Sequence, residues 1–222
     1  MGIRKATVNF VMKGICDLIC KVDCREYIDA LSKNKPSIMI FNHINFLEVV
    51  ILLTHCYPIK LVGLAKAETW KNPILAFLFN TYKAIPIDRN GAFSESFKKV
   101  RKTIEKGSYV CIAPEGTRSK NGVLQKGKAG IIQLAIDANM PIIPVAHHGG
   151  EQIWKNIKRF KRTPFKISAG RPFHIKFDGR PGREEREIIL TEVMTQLALL
   201  LPEKMRGAYA QTQNEYKYLD FI

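Results

Sequence analysis

The sequence predicts an α/β fold: a single domain with a mostly parallel central sheet flanked by helices, plus an N-terminal amphipathic helix. Three observations predict it. From residue 37 onward, short β-like runs alternate with helix-length amphipathic ones, the pattern of strands joined by crossover helices. The helical stretches carry clear stop signals. The first 34 residues hold an apolar stripe at helical spacing and no strand of that kind.

Taken in order, Val8, Val11, Ile15, Leu18, Ile19 and Val22 form that stripe, with Asn9, Lys13, Asp17 and Lys21 away from it. It either docks on the rest of the protein or lies in a membrane interface with its cations at the headgroups. Candidate strands follow at 37–41, 60–65, 84–87, 109–113, 141–146, 165–168 and 173–177. Phe93, Phe97, Val100 and Ile104 make a helical stripe that Gly107 ends. Ile131, Ile132, Leu134, Ala135 and Ile136 make another, stopped by Asn139 and Pro141. A last helix is expected from about Glu184 to Leu201, closed by Pro202. The organisation expected is therefore 1–34 as an amphipathic helical segment, 35–206 as the main domain and 207–222 as a polar, aromatic tail assigned to no element.

A chain of 222 residues buries a substantial core without covalent staples, and 46% hydrophobic with 25% charged residues excludes a wholly disordered chain. Its net charge of +15 points to anionic partners: nucleic acid, a phospholipid surface or a phosphorylated small molecule. Five cysteines, an odd number without a Cys-x-x-Cys pair and without a secretory signal, fit a reducing cytoplasm. Cys16, Cys20 and Cys24 share one helical face and read as packing residues, with lipidation or metal binding as the alternative; no cofactor and no metal follow from them.

In open α/β sheets, ligands gather beyond the carboxyl ends of the strands, which directs attention to the loops after residues 41, 65, 87, 113 and 146. The first reads Asn42-His43-Ile44-Asn45-Phe46-Leu47-Glu48 and interrupts a strongly apolar run. Asn45 reads as a helix cap with Glu48 three residues on, a capping box that explains the carboxylate without chemistry. A turn at Ile44-Asn45 would also bring Glu48 to His43, fix the imidazole tautomer and leave its other nitrogen as a general base. No serine or cysteine stands as a nucleophile, so the histidine would activate a substrate hydroxyl directly.

Straight after the apolar strand Tyr109-Val110-Cys111-Ile112 comes Ala113-Pro114-Glu115-Gly116-Thr117-Arg118-Ser119. Proline ends the strand, glycine permits a tight turn, and Glu115 and Arg118 are presented beside hydroxyl donors. Arg118 offers a planar fork suited to phosphate, or else pairs with Glu115 to hold the turn. Arg89, ending Ile85-Pro86-Ile87-Asp88-Arg89, reads as a second phosphate ligand or as Asp88's surface partner. Lys66 and Lys126 add cations near the same rim. Trp154 to Arg162 holds five cations and two aromatics, which suits a charged soluble face or a headgroup interface. No nucleic-acid motif accompanies it, so nucleic acid is not an expected partner. His147 and His148 read as loop or core histidines.

With these residues placed, roughly residues 35–150 resemble the glycerolipid acyltransferases of the lysophosphatidic acid acyltransferase family. His43 through Glu48 resembles that family's His-x-x-x-x-Asp block; Ile85 to Arg89 resembles its Ile-Asp-Arg block; Glu115-Gly116-Thr117-Arg118-Ser119 and Ile143-Pro144-Val145 resemble the third and fourth. The resemblance implies acyl transfer from acyl-CoA or acyl carrier protein to the hydroxyl of 1-acylglycerol-3-phosphate, without a covalent acyl-enzyme and without a cofactor. It implies His43 as general base with Glu48 as its orienter, Arg89, Glu115, Gly116, Thr117 and Arg118 around the phosphorylated acceptor, and Pro144 shaping the acyl or donor region. It further implies a lysophospholipid acceptor and a peripheral or monotopic place on the cytoplasmic face of an anionic membrane. Glu48 departs from the family's aspartate, and similar His-x-x-x-x-Glu blocks occur in lipid A acyltransferases. Another lysolipid or an amino-acid lipid therefore stands as an alternative acceptor, and a catalytically silent membrane-binding module as the alternative of another class.

Overall fold

The computed structural model describes residues 3–87, 93–211 and 215–222. The N-terminal helix α1 (Ile3–Ile19) leads into β1 (Cys20–Asp23) and α2 (Arg25–Lys33). The alternation then runs β2 (Ile38–Phe41), α3 (Leu47–His55), β3 (Leu61–Lys66), α4 (Pro73–Thr81), β4 (Ile85–Ile87), α5 (Phe93–Glu105), β5 (Tyr109–Ile112), α6 (Gly130–Ala138) and β6 (Ile142–His148). It closes with α7 (Ile153–Ile157), β7 (Thr163–Ala169), β8 (Phe173–Ile175), α8 (Arg183–Leu199) and β9 (Leu219–Phe221).

The described strands form one sheet in the order β1-β7-β6-β2-β5-β3-β4, with β8 on β6 and β9 on β8. The central strands β6, β2, β5, β3 and β4 are mutually parallel, while β7 and β8 run antiparallel to β6. Every residue of β2 is buried, as a strand covered on both faces requires. On one face α5, α6, α8 and the tail pack over Ile38, Ile40, Val110 and Ile142; on the other, α1, α2, α3 and α7 pack over Met39, Cys111, Ile143 and Phe165.

Local chemistry sets the element ends. The Asn72 side chain accepts from the backbone N–H of Ile74 at 3.0 Å and of Leu75 at 3.1 Å, with Pro73 at the first helical position of α4. Asn139 ends α6 in the left-handed region, φ 49°, and Gly107 takes φ 78° after α5.

One feature differs from the sequence expectation, and two that it left open take a definite place. The first 34 residues are not helical throughout: Cys20–Asp23 pairs in parallel with β7, so the stripe stops at Ile19 where the backbone joins the sheet. Of the two places left open for that stripe, Val11, Ile15 and Leu18 do not take the docked one. Asn9 and Cys16 are buried, with Asn9 donating to the Thr54 carbonyl at 3.3 Å and accepting from the Tyr82 hydroxyl at 2.9 Å, whereas Phe10, Val11, Ile15 and Leu18 are exposed. The C-terminal tail gains its place by strand pairing and by buried Glu192, which accepts from the N–H groups of Lys217 at 2.7 Å and Tyr218 at 3.0 Å.

Candidate active site

The site is built where β2 leaves the sheet. Asn42 is buried and locked to the end of β6 by three bonds: its amide donates to the His147 carbonyl at 3.0 Å, its side-chain oxygen accepts from the His147 N–H at 2.9 Å, and its carbonyl accepts from His147 Nε2 at 2.7 Å. The next residue, His43, is held at both backbone poles by the loop after β5. Glu115 Oε1 accepts from the His43 N–H at 2.6 Å, and the His43 carbonyl accepts from the Ser119 N–H at 2.7 Å. The imidazole is thus fixed in place by a buried strand end and a second loop.

The turn that follows brings Glu48 back. Asn45 Oδ1 accepts from the N–H of Leu47 at 2.8 Å and of Glu48 at 3.3 Å, and Glu48 Oε2 accepts from the Asn45 N–H at 2.7 Å, a reciprocal cap on α3. Glu48 also accepts from the Ile44 N–H and hydrogen-bonds His43 Nδ1 through Oε1. Capping and orientation are one arrangement, and the carboxylate is wholly buried within it. A carboxylate on Nδ1 places the proton there and leaves Nε2 with its lone pair. Among the described residues Nε2 has no protein partner, and the ring lines a cavity.

That cavity, about 310 Å³, runs between the sheet and helices α3 and α4. Phe46 just before α3, Val49 and Leu53 of α3, Leu75 and Phe79 of α4, and Gly63 and Cys111 of the sheet make it apolar, while His43, Lys66, Thr117 and Arg118 bring its polar groups. Cys111 is not a hidden nucleophile. Burial pushes its thiol up to about 12, so it stays protonated at neutral pH.

The residues singled out in the sequence separate into distinct places. Gly116, Thr117, Arg118 and Lys66 line the same cavity as His43. Gly116 has φ +66°, and a Cβ there would meet Lys128 Cδ at 3.0 Å, so both conformation and crowding call for glycine. Glu115 is buried, and its second oxygen accepts from the Gln125 N–H at 2.9 Å. Burial pushes its carboxyl up, against the pull of those backbone donors. Its two oxygens join the His43 N–H to the Gln125 N–H, tying the strand end to the loop. Lys126 is exposed and off the cavity, whereas the stem of Lys128 lies against Gly116. Pro144 alternates with Ile143 and Val145 and so points to the opposite face, where a Cβ on Gly170 would meet it at 2.9 Å. Arg89 lies outside the described residues.

His147 was legible only as a core histidine. It is buried and stacks on Phe165 at 5.2 Å, and its Nε2 lies 3.5 Å from Glu48 Oε2 behind the dyad. Burial pulls its pKa down, so it is neutral; with Nε2 donating to Asn42, Nδ1 is left without a partner. The missed signal was strand length, because β6 continues two residues past Ala146 and carries His147 alongside Asn42.

Residues 21–148 match the Acyltransferase family. The chain belongs to that family. As an acyltransferase-family chain it is 35% identical over 138 residues to a 1-acyl-sn-glycerol-3-phosphate acyltransferase of Limnanthes douglasii, covering 61% of this chain and 48% of that protein. It is 27% identical over 167 residues to the protein of that name from Bacillus subtilis, covering 73% of this chain and 79% of the other. The chain spans about half the length of several curated relatives it matches, the Limnanthes and Cocos nucifera proteins among them. The crystal structure of the 1-acyl-sn-glycerophosphate (LPA) acyltransferase PlsC from Thermotoga maritima has the same fold, with a TM-score of 0.57, 18% identity, and coverage of 85% of this chain and 78% of that one. Within this acyltransferase fold, the dyad and the apolar cavity stand together at the carboxyl edge of the parallel strands.

Proposed function

We propose that this chain transfers a fatty acyl group from an acyl thioester, on coenzyme A or acyl carrier protein, to the free hydroxyl of 1-acylglycerol-3-phosphate. The observation that carries the reading is the shared cavity: an imidazole with a free Nε2, two cations and an apolar interior lie within one space. His43 Nε2 takes the acceptor's hydroxyl proton as that oxygen attacks the thioester carbonyl. Collapse of the tetrahedral intermediate breaks the carbon–sulfur bond, and the imidazolium returns the proton to the departing thiolate. Glu48 supports the charge on the imidazolium in between. Arg118 and Lys66 bind the acceptor phosphate, and the apolar walls take the acyl chain and hold back water that would hydrolyse the thioester.

The names carried by the relatives favour this acceptor. A membrane-surface location, on the cytoplasmic side, goes with a lipid substrate. It is supported by the +15 charge and by Phe10 and Leu18 of α1, which are 80% and 75% exposed. No described helix is long and apolar enough to cross a membrane.

A panel of acceptors tests the reading. Thiol release from an acyl thioester is followed with lysophosphatidate, with its dephosphorylated monoacylglycerol, and with a lyso amino-acid lipid. The phosphate-bearing acceptor is expected to give the highest kcat/KM. Preference for either of the others overturns the assignment of the acceptor.

A further inference from the structure

The turn between α7 and β7 has features that the acyl-transfer chemistry does not use. Phe160 is fully exposed, at 101%, and sits at φ +53°, where glycine or asparagine is the ordinary residue. The hydrogen bonds explain the conformation but not the side chain: the N–H groups of Arg159 and Lys161 both reach the Asn156 carbonyl, at 2.9 and 3.0 Å, closing a helix terminus around Phe160. A large ring held outward from a left-handed position adds nothing to the core.

Its surroundings are cationic. Lys155, Lys158, Arg159, Lys161 and Arg162 are all exposed, no acidic residue falls between 154 and 162, and none of the five pairs with a carboxylate among the described residues. Trp154, six residues before Phe160 on α7, is also exposed. The turn is stiff rather than loose, since Asn156 Nδ2 donates to Thr163 Oγ1 at 3.1 Å and Ile153 is buried.

Position gives these residues a common direction. Because β7 runs antiparallel to β6, the turn that precedes it lies at the same sheet edge as His43, and Asn45 Nδ2 donates to the Gly150 carbonyl at 2.8 Å on the way to α7. Arg162 Nη2 donates to the Cys20 carbonyl at 2.9 Å, tying the turn to the end of α1, where Leu18 is exposed. Both elements belong to the face of the sheet that carries α3 and the cavity.

We propose that this turn is a second membrane contact, which seats Phe160 and Trp154 at the interface of an anionic bilayer with its cations on the headgroups. Together with α1 it holds the His43 edge of the sheet against the lipid from which the acceptor comes. The inference rests on the lipid substrate proposed above.

The test is flotation of the full chain with phosphatidylcholine vesicles, with and without phosphatidylglycerol, beside turnover of lysophosphatidate dispersed in detergent. Phe160→Gly removes the ring and relieves the backbone, so its thermal stability is expected to be no lower than wild type. Its affinity for anionic vesicles is expected to fall about tenfold, the effect of one buried aromatic ring, with detergent turnover unchanged. Lys158→Gln with Arg159→Gln and Lys161→Gln is expected to erase the preference for anionic vesicles. Wild-type-like vesicle binding by both variants overturns the proposal, as does tighter retention on nucleic acid than on anionic vesicles at the same salt. Wild type that is active in detergent but does not float overturns it too, while leaving the acyl-transfer reading standing. Absence of turnover in detergent, with flotation that wild type shows and both variants lose in part, is the reverse case: it sinks the acyl-transfer reading and supports the turn as a lipid contact.

Discussion

Glu115 and His43, 72 residues apart in the chain, meet at 2.6 Å through a carboxylate and a backbone N–H. The bond ties the loop after β5 to His43: Glu115 fixes where the chain turns, and Ser119 takes the other side of the same residue. Arg118 lines the cavity, whereas Glu115, three residues before it, is turned to these backbone groups.

Glu115→Ala is expected to act on kcat rather than on the acceptor's KM. It orphans the N–H groups of His43 and Gln125, at a cost of about 1–3 kcal/mol for each buried donor. A base displaced by roughly 1 Å loses about a hundredfold in rate. Steady-state kinetics with denaturant unfolding check this. A variant with raised KM and normal kcat would return Glu115 to the acceptor's phosphate.

Arg118→Lys keeps the charge and loses the planar fork, whereas Arg118→Ala loses both. The expected order of KM for lysophosphatidate is wild type, then lysine, then alanine, with alanine about 10- to 100-fold weaker, as fits one charge-assisted bond of about 1.5–3 kcal/mol. With monoacylglycerol as acceptor the three should be alike. Equal losses on both acceptors would show that Arg118 supports the loop and not the phosphate.

Gly63 faces Cys111 across the cavity floor, and a Cβ there would lie 3.6 Å from the sulfur, an ordinary contact. Gly63→Val should therefore fold and shorten the space. Each methylene excluded from an apolar slot costs about 0.8 kcal/mol, or about fourfold in kcat/KM. A series of acyl thioesters of rising length is expected to show its optimum shifted to shorter chains, and an unmoved optimum would remove the acyl chain from this cavity.

His147 carries a pH signature. Its folded pKa is lowered by burial from the ordinary 6.5, with Glu48 and Glu151 pulling upward and His43 pushing down. A depressed pKa contributes stability that is present above 6.5 and lost as pH falls through the lower folded value. Urea midpoints of wild type should therefore decline as the medium is acidified from neutral to about pH 5, and His147→Gln should decline less. Parallel curves would mean that His147 is not held neutral.

The order of elements was legible because strands buried on both faces read as continuous apolar runs, and the stops at Gly107 and Asn139 are local chemistry. β1 and β9 were not, since Cys20–Asp23 and Leu219–Phe221 are edge strands whose pairing with β7 and β8 depends on distant partners. The His43–Glu48 pairing could be read from a five-residue spacing and a turn. The roles of Glu115, Lys128, Pro144 and His147 could not, because each depends on register or on a loop crossing from another strand. The inner face of α1 was not legible for the same reason: Asn9 is buried because Thr54 and Tyr82 satisfy it.

The central claim is that His43 Nε2 removes the acceptor's proton, and one measurement reaches it most directly: thiol release from an acyl thioester by His43→Ala, with lysophosphatidate present and with the variant's folding verified by its thermal transition. The account predicts a loss of about 10²- to 10⁴-fold in kcat, the contribution of a positioned general base, with acceptor binding retained. Turnover by His43→Ala at the wild-type rate would contradict it.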